Sequence, residues 1–506
     1  MNSIFGWLLL GCHGKATRQE LEDHRAATNL NTVVRIGEDE EHEDTLFSLK
    51  KFWELESIGI VDLKKQISGE EDEALQRFQS TIHFEGSRYE VGLPWKSNAP
   101  TLLPNYQQAL KRLRRNEEKL SQDQRKQTMY KEAMHQYLKD GHAREITEED
   151  QQASKIYYLP HHPVFREDKT TTKCRVVFDA SARNRQGISL NDCLLSGPAL
   201  HPNLVSILLR FRMHRIAMMA DIRKMFLQVK LTPEDQNVHR FLWRENQDES
   251  PKTYCMTRVT FGVISSPFEA IATVQHHAKA SEDKFPTAAK EVIKNMYVDD
   301  YLSGEEDVDK AHVLHKELYD MMKYGGFELV KWYTNSEELK NRISPELRGP
   351  TTLVELKSDT EPLKALGISW DTNNDVFLFN QGENLMQVED QRTKRSLISI
   401  ASKLFDPLGF LSPYTIRAKI LFQQLWLRGI QWDEPLDEEI TKEWEKWKDE
   451  WVALKEVQIP RCFYDEQGKI TQIELHGFSD ASQKACHFHF LPYPQITNRG
   501  CYRQRS

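Results

Sequence analysis

"NMYVDDYLSG", residues Asn295–Gly304, sets two adjacent carboxylates between short apolar runs. Met296, Tyr297 and Val298 lead in and Tyr301 and Leu302 lead out, all good strand formers, and Ser303-Gly304 ends the second run. The pattern predicts a strand, a tight turn carrying Asp299 and Asp300, and a return strand. In a chain with 76 acidic and 68 basic side chains, the bland reading is a solvated acidic turn. The functional reading is a metal site. A hairpin tip with buried flanks holds two carboxylates rigidly, and hard cations such as Mg²⁺ take oxygen ligands.

The surrounding chain has 506 residues, enough for several domains, and its 39% hydrophobic and 28% charged content is ordinary globular material. A net charge of −8 supplies no general cationic field, so any nucleic-acid surface must be a local groove. Seven cysteines are scattered without a C-x-x-C, which suggests neither a disulfide framework nor a zinc ribbon and fits a reducing compartment. "FGWLLLGC" near the start has no cationic flank and is too short to span a bilayer, so neither secretion nor membrane insertion is expected. "SIFGWLLLG" reads as a buried strand.

"GEDEEHED" (Gly37–Asp44) reads as a linker. From Asn105 to Asp140 apolar residues recur at helical spacing, with Gly141 as the stop. "KRLRR" (Lys111–Arg115) in that segment is either a solvated face or a nucleic-acid contact. "YYLPHHPVF" and "CRVVFDA" are strand-like runs joined by a cationic turn around 169–173. His161 and His162, adjacent on a strand, point to opposite faces and make a poor metal pair. "RIAMMADIRKMFLQVKL" (Arg215–Leu231) is a strand ending at Asp221 and then a half-buried segment. "VTFGVISSPFEAIATVQHHA" (Val259–Ala278) is a Gly- and Ser-rich turn opening a helix, with Pro267 early in it. "YGGFELVKWYTN" and "LKALGISWD" are further strand-and-turn units, and the chain from Thr393 is mostly helical, broken at "FDPLGFLSP".

Asp221 at one strand end and Asp299-Asp300 in a later hairpin suggest a two-metal site. Two Mg²⁺ ions roughly 3.5–4 Å apart would activate an attacking hydroxyl and steady a leaving pyrophosphate. Such chemistry depends on positioning and charge neutralisation, so cations are needed for a triphosphate. Lys173 and Arg175, alternating on one strand face, could supply them.

The ordered series "TKCRVVFDAS", "ADIRKMF", "TFGVISSP", "YVDD", "GGFELVKW", "LGISW" resembles the motif series of retroelement reverse transcriptases. "YYLPHHPV", "RVVFDASAR", "SLNDCLLSGP", "TKRSLISIASKLFDPLGFLSP" and "RYEVGLPWK" resemble the polyproteins of BEL/Pao long-terminal-repeat retrotransposons, from about Ser3 to Asp480. The resemblance implies an α+β, right-hand polymerase with fingers, palm and thumb, a helical N-terminal extension and a truncated ribonuclease H-like start at the C-terminal end. It implies an aspartic protease remnant over 1–35, linker and extension over 36–150, fingers and palm over 151–335, primer-grip hairpin and thumb or connection over 336–465, and a ribonuclease H-like segment over 466–506.

Residue by residue, it implies Asp221, Asp299 and Asp300 as catalytic metal ligands for two Mg²⁺ ions, with Mn²⁺ as a substitute. Lys173 and Arg175 would hold the triphosphate. Phe226 would lie beneath the sugar and exclude a 2′-hydroxyl, though taken alone it is as well a core ring on an apolar strand. Phe261 and Gly262 match the turn packed on nucleotide and template. Lys331 matches a lysine acting as acid toward pyrophosphate, and Leu366-Gly367 the hairpin that grips the primer. Partners would be an RNA or DNA template-primer and deoxynucleotides, in the cytoplasm within retroelement particles.

The chain departs from the family at both ends. It has no Asp-Thr-Gly or Asp-Ser-Gly triplet, so no protease activity is expected. Asp480 in "ELHGFSDAS" matches the first carboxylate of a ribonuclease H, but resemblance fades after about Ala485 and that activity is not expected either. Nothing resembling an integrase is present. The expected function is RNA-directed DNA polymerase. The alternatives are a catalytically silent or domesticated fragment that folds and binds nucleic acid, and an RNA-templated RNA polymerase, against which Phe226 counts.

Overall fold

The structure, a computed structural model, describes residues 68–165, 174–349, 363–365, 368–379, 391–404, 406–463, 469–481 and 486–497, with two short N-terminal strands. Those strands, β1 (Asn2–Ser3) and β2 (Gly6–Trp7), pair antiparallel, and the rest of the opening apolar run lies outside the described residues.

The helical pattern of 105–140 divides into α1 (Tyr106–Leu120) and α2 (Gln124–Lys139). Apolar spacing runs through the junction, but Asp123 interrupts it: its carboxylate accepts the Lys126 N–H at 3.0 Å and caps α2. Next come β3 (His161–Phe165) and β4 (Cys174–Phe178), an antiparallel pair, then α3 (Leu204–Phe211).

β5 (Ile216–Ile222) is followed not by more strand but by a one-turn helix, α4 (Met225–Gln228), so Phe226 is helical. α5 (Ser266–Ala280) starts with proline in its first turn, where a missing N–H costs nothing. β6 (Met296–Tyr297), β7 (Asp300–Glu305), α6 (Val308–Tyr324) and β8 (Leu329–Thr334) follow.

Strands β6, β7, β5 and β8 form one antiparallel sheet in that order. β5 is central and reads "IAMMADI", apolar on both faces because both faces are covered. Met218, Ala220 and Ile222 join the main core, whereas Ala217 and Met219 join a second core with Leu302, Leu208 and Phe211. Gly304, expected to end its strand, lies inside β7 opposite Ala217. A Cβ there would run into the Ile216 carbonyl oxygen, so the glycine serves close backbone approach.

β9 (Leu363–Ala365), β10 (Ile368–Asp371) and β11 (Val376–Leu378) make a second antiparallel sheet, whose Trp370 and Phe377 complete the second core. Three helices then follow, α7 (Lys394–Ala401), α8 (Ser412–Leu427) and α9 (Glu438–Trp451), before β12 (Gln458–Pro460) returns to pair with β11. β13 (Lys469–Ala481) and β14 (Cys486–Thr497) form a long hairpin. No helix among the described residues is long and apolar enough to cross a membrane.

α9 turns Ile440, Trp444, Trp447 and Trp451 to one side at helical spacing, and all four are buried. The Trp447 ring stacks on Trp444 at 4.9 Å and on Tyr414 of α8 at 4.6 Å, and its N–H donates to the Tyr414 carbonyl at 3.0 Å. Trp447→Ala is expected to cost about 3–5 kcal/mol of folding stability, read from urea unfolding of the purified chain.

Candidate active site

Sheet register brings the acids together. Asp221, near the end of β5, pairs across from Asp300, the first residue of β7, and directly opposed residues on antiparallel strands share a face. Tyr297 pairs with Asp300, so the turn itself is Val298-Asp299 and only one of the two carboxylates sits in it. Val298 has φ 56°, a left-handed value that a β-branched residue avoids. A two-residue hairpin needs φ > 0 at its first central position, and here valine supplies it at a cost of about 1–3 kcal/mol. The Asp299 carbonyl accepts the Ile222 N–H at 2.8 Å, which ties the turn to the end of β5.

Lys331 enters from β8, where the register shifts between Val330 and Tyr333. Its own φ is 54°, and the irregularity aims its Nζ at Asp221 Oδ2, 3.1 Å away. Burial first, and then the neighbouring carboxylates, push the Asp300 carboxyl up to about 7. Asp299 is raised for the same reasons, burial and Asp221, with Lys331 and Arg175 working against the rise. The cluster is thus short of positive charge. Among the described residues no three Asp, Glu, His or Cys side chains stand close enough together to hold a metal ion as they are.

Arg175 links the acids to an aromatic ledge. The rings of Phe226 and Phe261 are 4.3 Å apart, Phe226 buried and Phe261 38% exposed, so one ring is a floor and the other a lip. Arg175 lies over the Phe261 ring at 5.2 Å. Gly262 has φ 102°, and a Cβ there would overlap the Phe178 carbonyl oxygen at the end of β4. Asn191 holds this turn: its amide donates to the Gly262 carbonyl at 3.1 Å and accepts the Ile264 N–H at 2.9 Å. Asn191 stands in "SLNDC", a stretch singled out only for its wording, and no local signal marks a residue that works across some seventy positions.

Of the other expected residues, Lys173, Leu366 and Gly367 lie outside the described residues. His161 is buried, its Nε2 donating to the Leu242 carbonyl at 2.9 Å and its Nδ1 bonded to Tyr130, while His162 is exposed. Both ring nitrogens of His161 are therefore committed to the fold. In "KRLRR" Leu113 is core, Arg112 pairs with Asp179 at 2.6 Å, and Lys111, Arg114 and Arg115 are exposed. Asp480 lies in β13 opposite His487 of β14.

The fold and site define a mixed α/β protein built around a carboxylate-bearing antiparallel sheet. Residues 393–496 match the family model described as a Pao retrotransposon-like RNaseH-like domain. The match extends beyond Ala485, where the resemblance was expected to fade. It also begins at Thr393, so α7–α9 fall within the ribonuclease H-like description. No curated protein sequence matches the chain. Among solved structures, a foamy viral protease-reverse transcriptase dRH in complex with double-stranded DNA aligns at 17% identity and TM-score 0.46, over 72% of this chain and 54% of that one. The foamy viral protease-reverse transcriptase in complex with an RNA/DNA hybrid aligns at 14% identity and TM-score 0.47, over 97% of this chain and 54% of that one. The chain thus spans about half the length of these structures.

Two outcomes follow from the geometry. Asp300 binds its proton more tightly folded than at its ordinary value of 3.8, so the metal-free fold loses stability as pH rises from about 4 to about 7. Asp300→Asn should remove that slope and be more stable than the parent near pH 8, by on the order of a few kcal/mol, with the difference gone below about pH 4. Urea unfolding in chelator across this range reads it. Gly262→Ala should displace the 261–264 turn from Phe178 and lower folding stability by more than about 1 kcal/mol, read by the same unfolding.

Proposed function

We propose that this chain is an RNA-directed DNA polymerase core that adds deoxynucleotides to a primer 3′ end. The observation that carries the reading is the register that sets Asp300 across from Asp221, with Asp299 in the adjoining turn and Lys331 on Asp221. Right-hand fingers and palm over 151–335 are part of the same reading. Primer grip and a Pao-type thumb or connection over 336–465 belong to it too, and the helices from Thr393 also fall within the ribonuclease H-like match.

The donor set suits Mg²⁺ or Mn²⁺, both of which favour carboxylate oxygen. Mg²⁺ is commonly held by one or two carboxylates together with substrate phosphates and water, so a closed three-residue cage is not required. Asp221 and Asp299 would hold the ions, with Asp300 adjoining. Bound divalent ions supply activation of the 3′-hydroxyl and neutralisation of the triphosphate. Lys331, whose ammonium stands on Asp221, would act as the acid toward the departing pyrophosphate. Arg175, whose charge is felt at Asp299, would meet the incoming phosphates, a role the sequence resemblance gives to Lys173 as well. Phe226 forms the floor beneath the sugar, and Phe261 and Gly262 pack against base and template.

The open carboxylate set and the Lys331–Asp221 ion pair also suit a catalytically silent fragment that binds nucleic acid, and one experiment separates the two readings. The purified chain should extend oligo(dT) on poly(rA) with dTTP and Mg²⁺, and Asp299→Asn should lower kcat by at least about a hundredfold. Absence of extension by a folded parent would favour the silent reading. Phe226→Ala should retain deoxynucleotide addition and admit ribonucleotides at least about tenfold more readily. Unchanged ribonucleotide rejection would remove Phe226 from the sugar pocket.

A further inference from the structure

Besides the core they share, the second sheet and the first are tied by one carboxylate. Asp375 sits in the β10–β11 turn with φ 53°, a left-handed conformation that asparagine and aspartate tolerate better than most residues. Its Oδ1 accepts the Trp370 indole N–H at 3.0 Å and Arg461 Nε at 2.6 Å. Its Oδ2 accepts Arg461 Nη2 at 2.7 Å and Asn335 Nδ2 at 2.9 Å. One carboxylate thus takes four donors, one from its own hairpin and three from two distant segments.

Arg461, 0% exposed, spends its remaining donors on the backbone that leads into β5. Nη1 donates to the carbonyls of Phe211 at 2.6 Å and His214 at 2.8 Å, and Nη2 to Arg215 at 3.2 Å. All five guanidinium N–H groups are therefore used. Phe211 is the last residue of α3, so the cation also meets the negative end of that helix. Asn335, directly after β8, donates to the Arg215 carbonyl at 2.8 Å and accepts the Ala217 N–H at 2.9 Å.

The node therefore grips the beginning of β5 and the end of β8. Asp221 lies farther along β5 and Lys331 along β8, and both strands are stiffened by pairing with one another. We propose that Asp375 is a positioning residue for the carboxylate site, acting through Arg461 and Asn335 on the two strands that bear Asp221 and Lys331. The activity it serves rests on the polymerase reading above. Arg461 follows β12 and lies inside the Pao-type match, so that region contributes directly to how the acids are held.

The test uses the full chain with Asp375→Asn and Asn335→Ala, the latter leaving the Arg461–Asp375 pair intact. Steady-state dTTP addition gives kcat and KM, electron paramagnetic resonance gives Mn²⁺ affinity, and circular dichroism checks folding. The expected result is a kcat lower by about tenfold or more with KM for dTTP within about twofold, because displaced reacting groups cost rate before binding. The Mn²⁺ dissociation constant should rise about threefold or more, as when supporting residues behind metal ligands are lost. Folded variants with parental kcat and Mn²⁺ affinity overturn the proposal. If Asp375→Asn does not fold, Asn335→Ala decides alone. A parent that binds Mn²⁺ but does not extend primers, with weaker binding in the variants, removes the polymerase reading and keeps the positioning role. A parent that does neither removes both.

Discussion

The pairing of Ile216–Ile222 with a strand on each side is the constraint on which the rest of the structure depends. In a pleated strand a one-residue slip moves every side chain to the other face. In the observed register Met218, Ala220 and Ile222 enter the main core, and Ala217 and Met219 enter the second, with Asp221 next in the latter alternation. Slipped by one residue, Asp221 would take its place in the alternation that feeds the main core, where an unpaired carboxylate is costly. Hydrophobic sorting thus keeps the acid opposite Asp300. The chemistry of the site is a by-product of where five apolar residues must go.

The site also concentrates backbone strain. Five non-glycine residues among those described have left-handed φ: Lys224, Val298, Lys331, Asp375 and Arg392. Val298 shapes the turn of Asp299, Lys331 aims its own ammonium at Asp221, and Lys224 opens the short helix that carries Phe226. Such conformations persist only where surrounding packing over-determines them, and they gather where geometry matters more than local comfort. Two carboxyls displaced upward by burial and by neighbouring carboxylates belong to the same pattern. Stability is given up locally, and the cores on either face of the sheet offset the loss.

What was legible in the sequence was what local patterns encode. The hairpin around Asp299, the β5 run ending near Asp221, the proline-started helix at 266 and the break before Ser412 are all visible as alternation or punctuation. The roles proposed for Phe226, Phe261 and Gly262 were legible only through resemblance, because a lone ring or glycine has many uses. Punctuation misled at Gly304, where the glycine marks a backbone approach and not a strand end. Continuous apolar spacing hid the cap at Asp123. Asn191, Asn335, Asp375 and Arg461 left no trace, since each acts on segments far away in the chain and a single polar residue has no periodicity to betray it.

The fourth strand of the second sheet arrives late. Gln458–Pro460 pairs with Val376–Leu378 across roughly eighty intervening residues, and Arg461 follows immediately. At about 5–20 residues per second, a ribosome needs several seconds to make that stretch. Until then Trp370 and Phe377 wait beside an unpaired strand edge, and the base of the strand carrying Asp221 lacks its guanidinium brace. During the synthesis of three helices the last partner of that sheet is still to be made, and an uncovered strand edge is open to aggregation until it is paired.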